Sequence, residues 1–554
     1  MKNLLKSFFK KWFLLTLKER LFCFLFLIIL LIGIVVFFSN LLTQITVLEP
    51  KEGGKLLFGA IGIPSYINPV LSQSNDCERD ISELIYSSLF SIDGQGSLEP
   101  ALAEKVEINE DGTSYTIFLK DNILWHDGVE FTADDVVFTI ETIQNPKIKS
   151  PLRLSWEGVV VEKLGDNIIR FNLKNTYQPF LQNLTLKIIP KHVWEDIEPS
   201  FFNTAKYNLT PIGTGPYLFD NIEKTEKGKI VNYSLVANDK YFKNKPYISK
   251  IVFKFYDNYD SMKNGLLKKE IDGFFPLLIE DFDFFVNKKN IKINSLILAR
   301  YYAVFLDFNN PLFKNEDIRQ ALDLAISREE LTKEILQEQA IALGGPITPG
   351  FLGPEAEQEF NKIPEHSLET AKKLINSSGL AKEEPISFTL SLPHNTELIK
   401  VANYLVNSWE KIGLSVELQI LPLATLEKEV IQPRSYEAFL FGEIVGQNPD
   451  LYSFWHSSQI TDPGLNLSMF QNKELDKFLE IARQTFNEKK RLENLNNIQT
   501  LLAEEKPAIF LYNPFYLYLL PQSVKGNHIE YANLPSEKFT DIENWYLYSK
   551  RVLK

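Results

Sequence analysis

Reactive side chains are scarce in this 554-residue chain. It has 2 cysteines, 6 histidines and 3 methionines. Beyond Cys23 the only thiol is Cys77, so no intramolecular disulfide can form in the body of the chain and burial alone must hold it together. The histidines, His126, His192, His366, His394, His456 and His528, are too dispersed to give a local metal-ligand spacing. No G-x-S-x-G elbow, H-E-x-x-H pair, Walker loop, C-x-x-C pair or calcium loop occurs. Positive charge is also short, with 59 basic against 71 acidic side chains and a formal net charge of −12. That balance argues against nucleic acid as a partner, which needs a basic surface.

What the chain does have is one long apolar run. Leu21 to Phe38, LFCFLFLIILLIGIVVFF, carries no charge and no proline. As a helix its 18 residues span about 27 Å, and continuing to Leu42 reaches about 33 Å, enough to cross a hydrocarbon core of about 30 Å. Before it stand Lys2, Lys6, Lys10, Lys11, Lys18 and Arg20 against the single acid Glu19, so residues 1–20 are expected to stay cytoplasmic and the body to face outward. The following VFFSNLL offers no small-x-small cleavage site, and Cys23 lies at the start of the run rather than after it. A retained anchor over 21–42 is therefore expected, in preference to a cleaved signal or a lipoprotein leader. Roughly 500 further residues, 45% of the whole being apolar, exceed what one core serves, and two or three lobes are predicted.

Residues 43–54 read as a short polar tether, and Lys55 to Ile61 (KLLFGAI) as a buried strand. The IPSYINP turn after it leaves Tyr66 and Asn68 on a loop, with Tyr66 either facing a ligand or packing the turn. Ile81, Leu84, Ile85 and Leu89 recur at helical spacing. The stretch from Leu98 to Phe138 reads as a short helix, two alternating strands about Glu110-Asp111-Gly112, a Trp125 loop and a helix start. There Thr132 and Asp135 form a cap and Phe131 staples onto Val136. Trp125 beside the Asp127-Gly128 turn is expected to be a structural plug.

From 386 to 421 the pattern gives a complete β-α-β unit. Ile386, Phe388, Leu390 and Leu392 alternate; Leu398, Val401, Ala402, Leu405, Trp409 and Ile412 line a helix that stops at Gly413; and Leu414, Val416, Leu418 and Ile420 alternate again. Such a crossover implies a parallel strand pair in an α/β lobe. Tyr436 to Phe441 reads as one more strand, and 442–450 as the loop behind it.

The order L-E-P-A-L-A, Y-T-I-F-L, W-H-D-G-V-E-F-T-A-D-D-V-V-F between 98 and 138 resembles the signature of the solute-binding proteins of peptide-type ABC importers, the oligopeptide, dipeptide and nickel-binding family. Pro211 to Tyr217 resembles that family's GTGPY turn, and Leu218 stands where a dinucleotide fingerprint needs its third glycine. Arg300 to Phe313 and the helices from Ile318 to Leu331 are similar to it as well. The resemblance implies an α/β, two-lobed periplasmic-binding-protein fold (type II, peptide-binding cluster) with an extra subdomain, preceded by one N-terminal transmembrane helix. It implies a discontinuous lobe I at 55–92, 208–297 and 510–554, the subdomain at 93–207, and lobe II at 298–509. It also implies a ligand in the interlobe cleft, a peptide or similar small solute, with Tyr66, Asn68, Tyr301, Phe441, Gly442, Glu443, Val445 and Gln447 as contacts. ABC permease subunits are the implied protein partner, the protein is expected to be a monomer, and no cofactor, metal or catalytic residue is expected. Peptide binders of the family commonly hold the ligand amine with an aspartate that falls at or beside Val445; no aspartate is present, leaving Glu443 as a substitute or as a solvated loop acid. A hydrolase of peptides or glycosides, or a cell-surface receptor, are the competing classes.

Overall fold

A computed structural model describes residues 16–71, 75–349, 360–380, 386–446 and 450–553. Most of the basic tail and Gln447 lie outside the described residues. The apolar run is one helix, Leu17–Ile45, whose Leu17–Leu41 portion has a mean hydropathy of 3.4 with none of it buried. A core would bury such a surface; among the described residues nothing covers it.

The polar tether expected after the helix is ordered. The helix runs into the strand Thr46–Lys51, which pairs antiparallel with the strand Tyr548–Leu553 at the other end of the chain, Thr46 opposite Leu553 and Lys51 opposite Tyr548. Polar composition gave no sign of this, because the partner strand lies some 500 residues away.

The body is built on a 13-stranded mixed sheet that runs through both lobes. Lys55–Ile61 occupies the predicted bounds and pairs in parallel with Lys250–Tyr256, placing Phe58 opposite Phe253 in the first core. The β-α-β unit is Ser387–Pro393, Thr396–Glu410 and Ser415–Leu421, with the strands parallel and Trp409 fully buried, as the pattern requires. The chain crosses between the lobes twice, once at 298–300 and once within a single long strand. Ala508–Pro521, 14 residues long, pairs through its first half with Arg300–Leu306 and through its second with Ile291–Leu298. At the crossing, the buried Asn513 amide donates to the carbonyl of Leu298, 2.7 Å away, and to that of Arg300. The halves are therefore connected by two adjacent strands pinned to each other.

The subdomain is a four-stranded antiparallel sheet in the order Ala103–Ile108, Ser114–Leu119, Ile168–Asn172, Val160–Gly165, covered by the helix Ala133–Gln144. The short helix expected from Leu98 is instead strand, Leu98–Pro100 pairing with Phe90–Ile92, while Ala103–Ile108 and Ser114–Leu119 are the two strands expected about the Glu110-Asp111-Gly112 turn. Cross-strand partners decide such segments over local propensity. Trp125 is 2% exposed, and its indole N–H reaches the Asp135 carboxylate at 3.3 Å, which also accepts from the Thr132 amide at 2.9 Å. The plug and the cap are one cluster. The GTGPY turn lies hard against the helix Asp76–Ile85, where a Cβ at Gly213 would stand 1.9 Å from the carbonyl oxygen of Ile85. Its glycines serve packing, not phosphate.

Candidate functional site

A cavity of about 600 Å³ opens between the lobes. Asp76, Arg79, the segment Pro276 to Glu280, Tyr516 and Leu534 wall it from one side; Arg300, Tyr302, Asn395, Glu397 and Ile444 wall it from the other. That volume lies within the range of small-molecule sites. A smaller cavity of about 240 Å³ within the first lobe and subdomain shares Arg79 and Leu534 with it.

Strand alternation decides which residues face the cleft. In Arg300–Leu306, Tyr301, Ala303 and Phe305 enter one core with Phe439, Val445, Trp455 and Phe510, while Val304 and Leu306 enter another, against which Tyr302 packs. Arg300 and Tyr302 share that second face at the end where the core gives way to the cavity. The neighbouring strand is Ala438–Ile444, longer than predicted, with Arg300 opposite Ile444, Tyr301 opposite Glu443 and Tyr302 opposite Gly442. Glu443 is thus not a solvated loop acid. It is 5% exposed, its carboxylate accepts from the Tyr301 hydroxyl, and burial pushes its pKa well above the ordinary carboxylate range.

The expected contacts divide accordingly. Tyr301 and Glu443 face away from the cavity, and Val445 is buried, its amide donating to the carbonyl of Ala299 at 2.8 Å. Phe441 is half-buried and stacks on Phe439 with ring centroids 5.0 Å apart. Gly442 leaves room for the Tyr302 ring, since a Cβ there would come within 2.8 Å of it. Asn68 is fully buried, donating to Asn208 at 3.2 Å and accepting from the Val70 amide at 3.0 Å, which makes it part of the turn. Tyr66 is half-buried on the same turn, held through its amide by Glu78 at 3.0 Å, and is not among the residues lining the cavity. Arg300, Tyr302 and Glu397 are the residues that sequence reasoning passed over. The signal was present: Arg300 begins the same RYYAVF run, one residue out of phase with Tyr301.

The polar groups of the cavity are unevenly satisfied. Asp76 and Arg79 form an ion pair with each other. Glu397 accepts from the Tyr512 hydroxyl at 3.1 Å, and burial raises its pKa despite the nearby positive charge of Arg300. Tyr512, fully buried, stacks on Tyr302 at 5.1 Å between centroids and 18° between planes and so backs the one ring of the pair that lines the cavity. Arg300 stands apart. Among the described residues its guanidinium has no acceptor, and its Nε is buried without a partner. A buried donor left unpaired is costly, and a ligand oxygen would satisfy it.

A cavity walled from both sides by lobes that are joined through crossing strands is the arrangement of a solute-binding protein. Comparison with known proteins agrees. Residues 97–474 match the family described as bacterial extracellular solute-binding proteins, family 5 Middle, and the chain belongs to that family, the solute-binding proteins of peptide-type ABC importers. It is 29% identical over 518 residues to the oligopeptide-binding protein AppA of Bacillus subtilis, covering 90% of this chain and 92% of that one. Among solved structures it is similar to the ABC transporter substrate-binding protein CtaP of Listeria monocytogenes, with a TM-score of 0.79, 28% identity, and coverage of 90% of this chain and 100% of that one. It is likewise similar to NikZ of Campylobacter jejuni, solved with Ni(L-His), with a TM-score of 0.71, 26% identity, and coverage of 89% and 99%.

Proposed function

We propose that the helix Leu17–Ile45 is a retained single-pass anchor, that the body works outside the cytoplasm, and that it captures a small solute in the interlobe cavity and presents it to an ABC permease. Binding is the whole of the function; no bond of the solute is made or broken. The relatives bind oligopeptides or a nickel chelate by name, and we assign the same kind of ligand here, a short peptide or similar small solute. The lobe limits follow the family division, 55–92, 208–297 and 510–554 against 298–509, with 93–207 as the subdomain. The protein works as a monomer.

The observation that carries this reading is Arg300, a cation without an acceptor among the described residues, beside the Tyr302 ring in a cavity shared by both lobes. A solute carboxylate would pair with the guanidinium, and charge-assisted bonds of this kind are among the stronger ones available to a binding site. Tyr302, its ring held between Tyr512 and Gly442, would meet the body of the solute with the part of its side chain that lines the cavity.

Native mass spectrometry of the detergent-solubilised full chain tests it. A co-purifying solute of a few hundred daltons, unchanged after incubation, is the expected result. Turnover of that solute would replace this reading with the hydrolase one. Binding of a macromolecule with no small solute would favour the receptor.

A further inference from the structure

The paired ends of the chain form a ribbon that stands by itself. Thr46–Lys51 and Tyr548–Leu553 make a two-stranded sheet that no third strand joins among the described residues. Leu553 is 77% exposed, Leu48 61%, Tyr548 54% and Val47 40%. A two-stranded ribbon with both faces in water is marginal at best, so something else is needed to hold this one.

Its position shows what that is. The apolar stretch ends at Leu42, and Thr46 follows four helical residues later, about 6 Å further along the axis. The headgroup layer outside the hydrocarbon is itself roughly 5–7 Å thick on each side. Leu553 is the register partner of Thr46, so the chain's C-terminal end is carried to the depth at which the anchor leaves the lipid. Residues directly opposite in an antiparallel pair share a face, and so do residues two apart on one strand. Leu48, Arg551 and Leu553 therefore present one surface, two aliphatic side chains flanking a cation; Lys550 lies on the other face, opposite Glu49. Arg551 donates to the Thr46 hydroxyl at 3.0 Å, which holds the guanidinium toward the membrane end of the ribbon. An apolar surface with a basic group is what an interface of acyl chains and phosphates takes up.

We infer that the end of the chain, Arg551 to Leu553, is seated in the headgroup layer of the membrane, with Leu553 and Leu48 in the interface and Arg551 on lipid phosphate. This rests on the reading of Leu17–Ile45 as a retained anchor. It makes the stalk double and fixes lobe I, from which both strands emerge, as the lobe nearest the membrane. A solute-binding body on such a stalk keeps its cleft at a set height and has little freedom to swing.

The experiment uses the full chain carrying Cys23→Ser and Leu553→Cys, labelled with an environment-sensitive fluorophore and reconstituted into phosphatidylcholine vesicles with or without phosphatidylglycerol. Cys77, 3% exposed, stays unlabelled. A second sample carries the label at Glu417→Cys, on the edge strand Ser415–Leu421 of lobe II. Quenching by lipids bearing a shallow nitroxide should be at least threefold stronger at 553 than at 417. Arg551→Glu should reduce it at least twofold in vesicles containing phosphatidylglycerol. Equal quenching at 553 and 417 in protein that resists carbonate extraction overturns the inference and leaves the anchor standing. Release of the protein by carbonate overturns the anchor and this contact with it.

Discussion

The Tyr301 hydroxyl donates to the Glu443 carboxylate, and the pair is sealed on the core side of the strand whose other face meets the cavity. The one acid in the loop region that might have replaced the family's amine-binding aspartate is thus turned inward. Burial raises the Glu443 pKa well above its ordinary value of 4.5. A group whose folded pKa is raised contributes stability that is full below the unfolded value and is lost as pH climbs through the folded one. Glu443→Gln keeps an acceptor for Tyr301 and cannot ionise. Its melting temperature should fall less than the wild type's as pH rises above the ordinary carboxylate value of 4.5. Parallel pH profiles of the two proteins would refute the assignment.

Ligand affinity separates the two faces of the same strand. Arg300→Met removes the guanidinium that has no acceptor among the described residues and should weaken binding of the co-purified solute by roughly 10- to 100-fold, the size of one or two charge-assisted bonds. Tyr301→Phe, one residue along, should change it by less than about 3-fold. Isothermal titration on both variants reads this directly, and a larger effect at Tyr301 would reverse the facing assigned here.

Closure has its own contact outside the cavity. Arg483 in lobe II pairs with Asp450 at 2.8 Å, lies 5.2 Å above the Tyr177 ring of the subdomain, and accepts the Gln178 amide on its carbonyl at 2.9 Å. Asp450 lies six residues after the end of the Ala438–Ile444 strand, whose last residue lines the cavity. Arg483→Ala should shift the unliganded protein toward an open form and weaken apparent affinity by roughly 3- to 10-fold, since affinity falls with the population of the closed state. Small-angle scattering with and without solute checks it, the expected sign being a larger unliganded radius in the variant.

The crossing strands depend on Asn513. Asn513→Ala deletes two donated hydrogen bonds and leaves the carbonyls of Leu298 and Arg300 without this partner in a buried site, at a cost of about 2–4 kcal/mol. Urea unfolding measures it; a change below about 0.5 kcal/mol would show that the pairing of Ala508–Pro521 suffices alone.

How far the chain could be read without coordinates depends on the range of the forces involved. The apolar helix, the Lys55–Ile61 strand, the β-α-β unit from 387 to 421 and the Thr132–Asp135 cap were all legible, because spacing, caps and turns are set by neighbours a few residues apart. Only the start of the Leu98 stretch departs from its local pattern: a short helix is expected there, and Leu98–Pro100 is strand because it pairs with Phe90–Ile92, whereas the two strands about Glu110-Asp111-Gly112 are as the alternation predicts. The site was legible only to the level of the strand. RYYAVFL is recognisable as a strand, but a shift of one residue exchanges Tyr301 for Arg300 and Tyr302, and nothing local says which face meets the cavity.

By itself, then, the order of residues determined an anchor-length apolar helix, an acidic exported body and the family to which that body belongs. The fold alone decided that Asn68 and Glu443 are interior, that Arg300 has no acceptor among the described residues, and that Thr46–Lys51 and Tyr548–Leu553 meet beside the apolar helix. The reason is physical: helices and turns close over a few residues, whereas a sheet's register and facing are fixed by strands that may lie hundreds of residues apart, as Thr46 and Leu553 do.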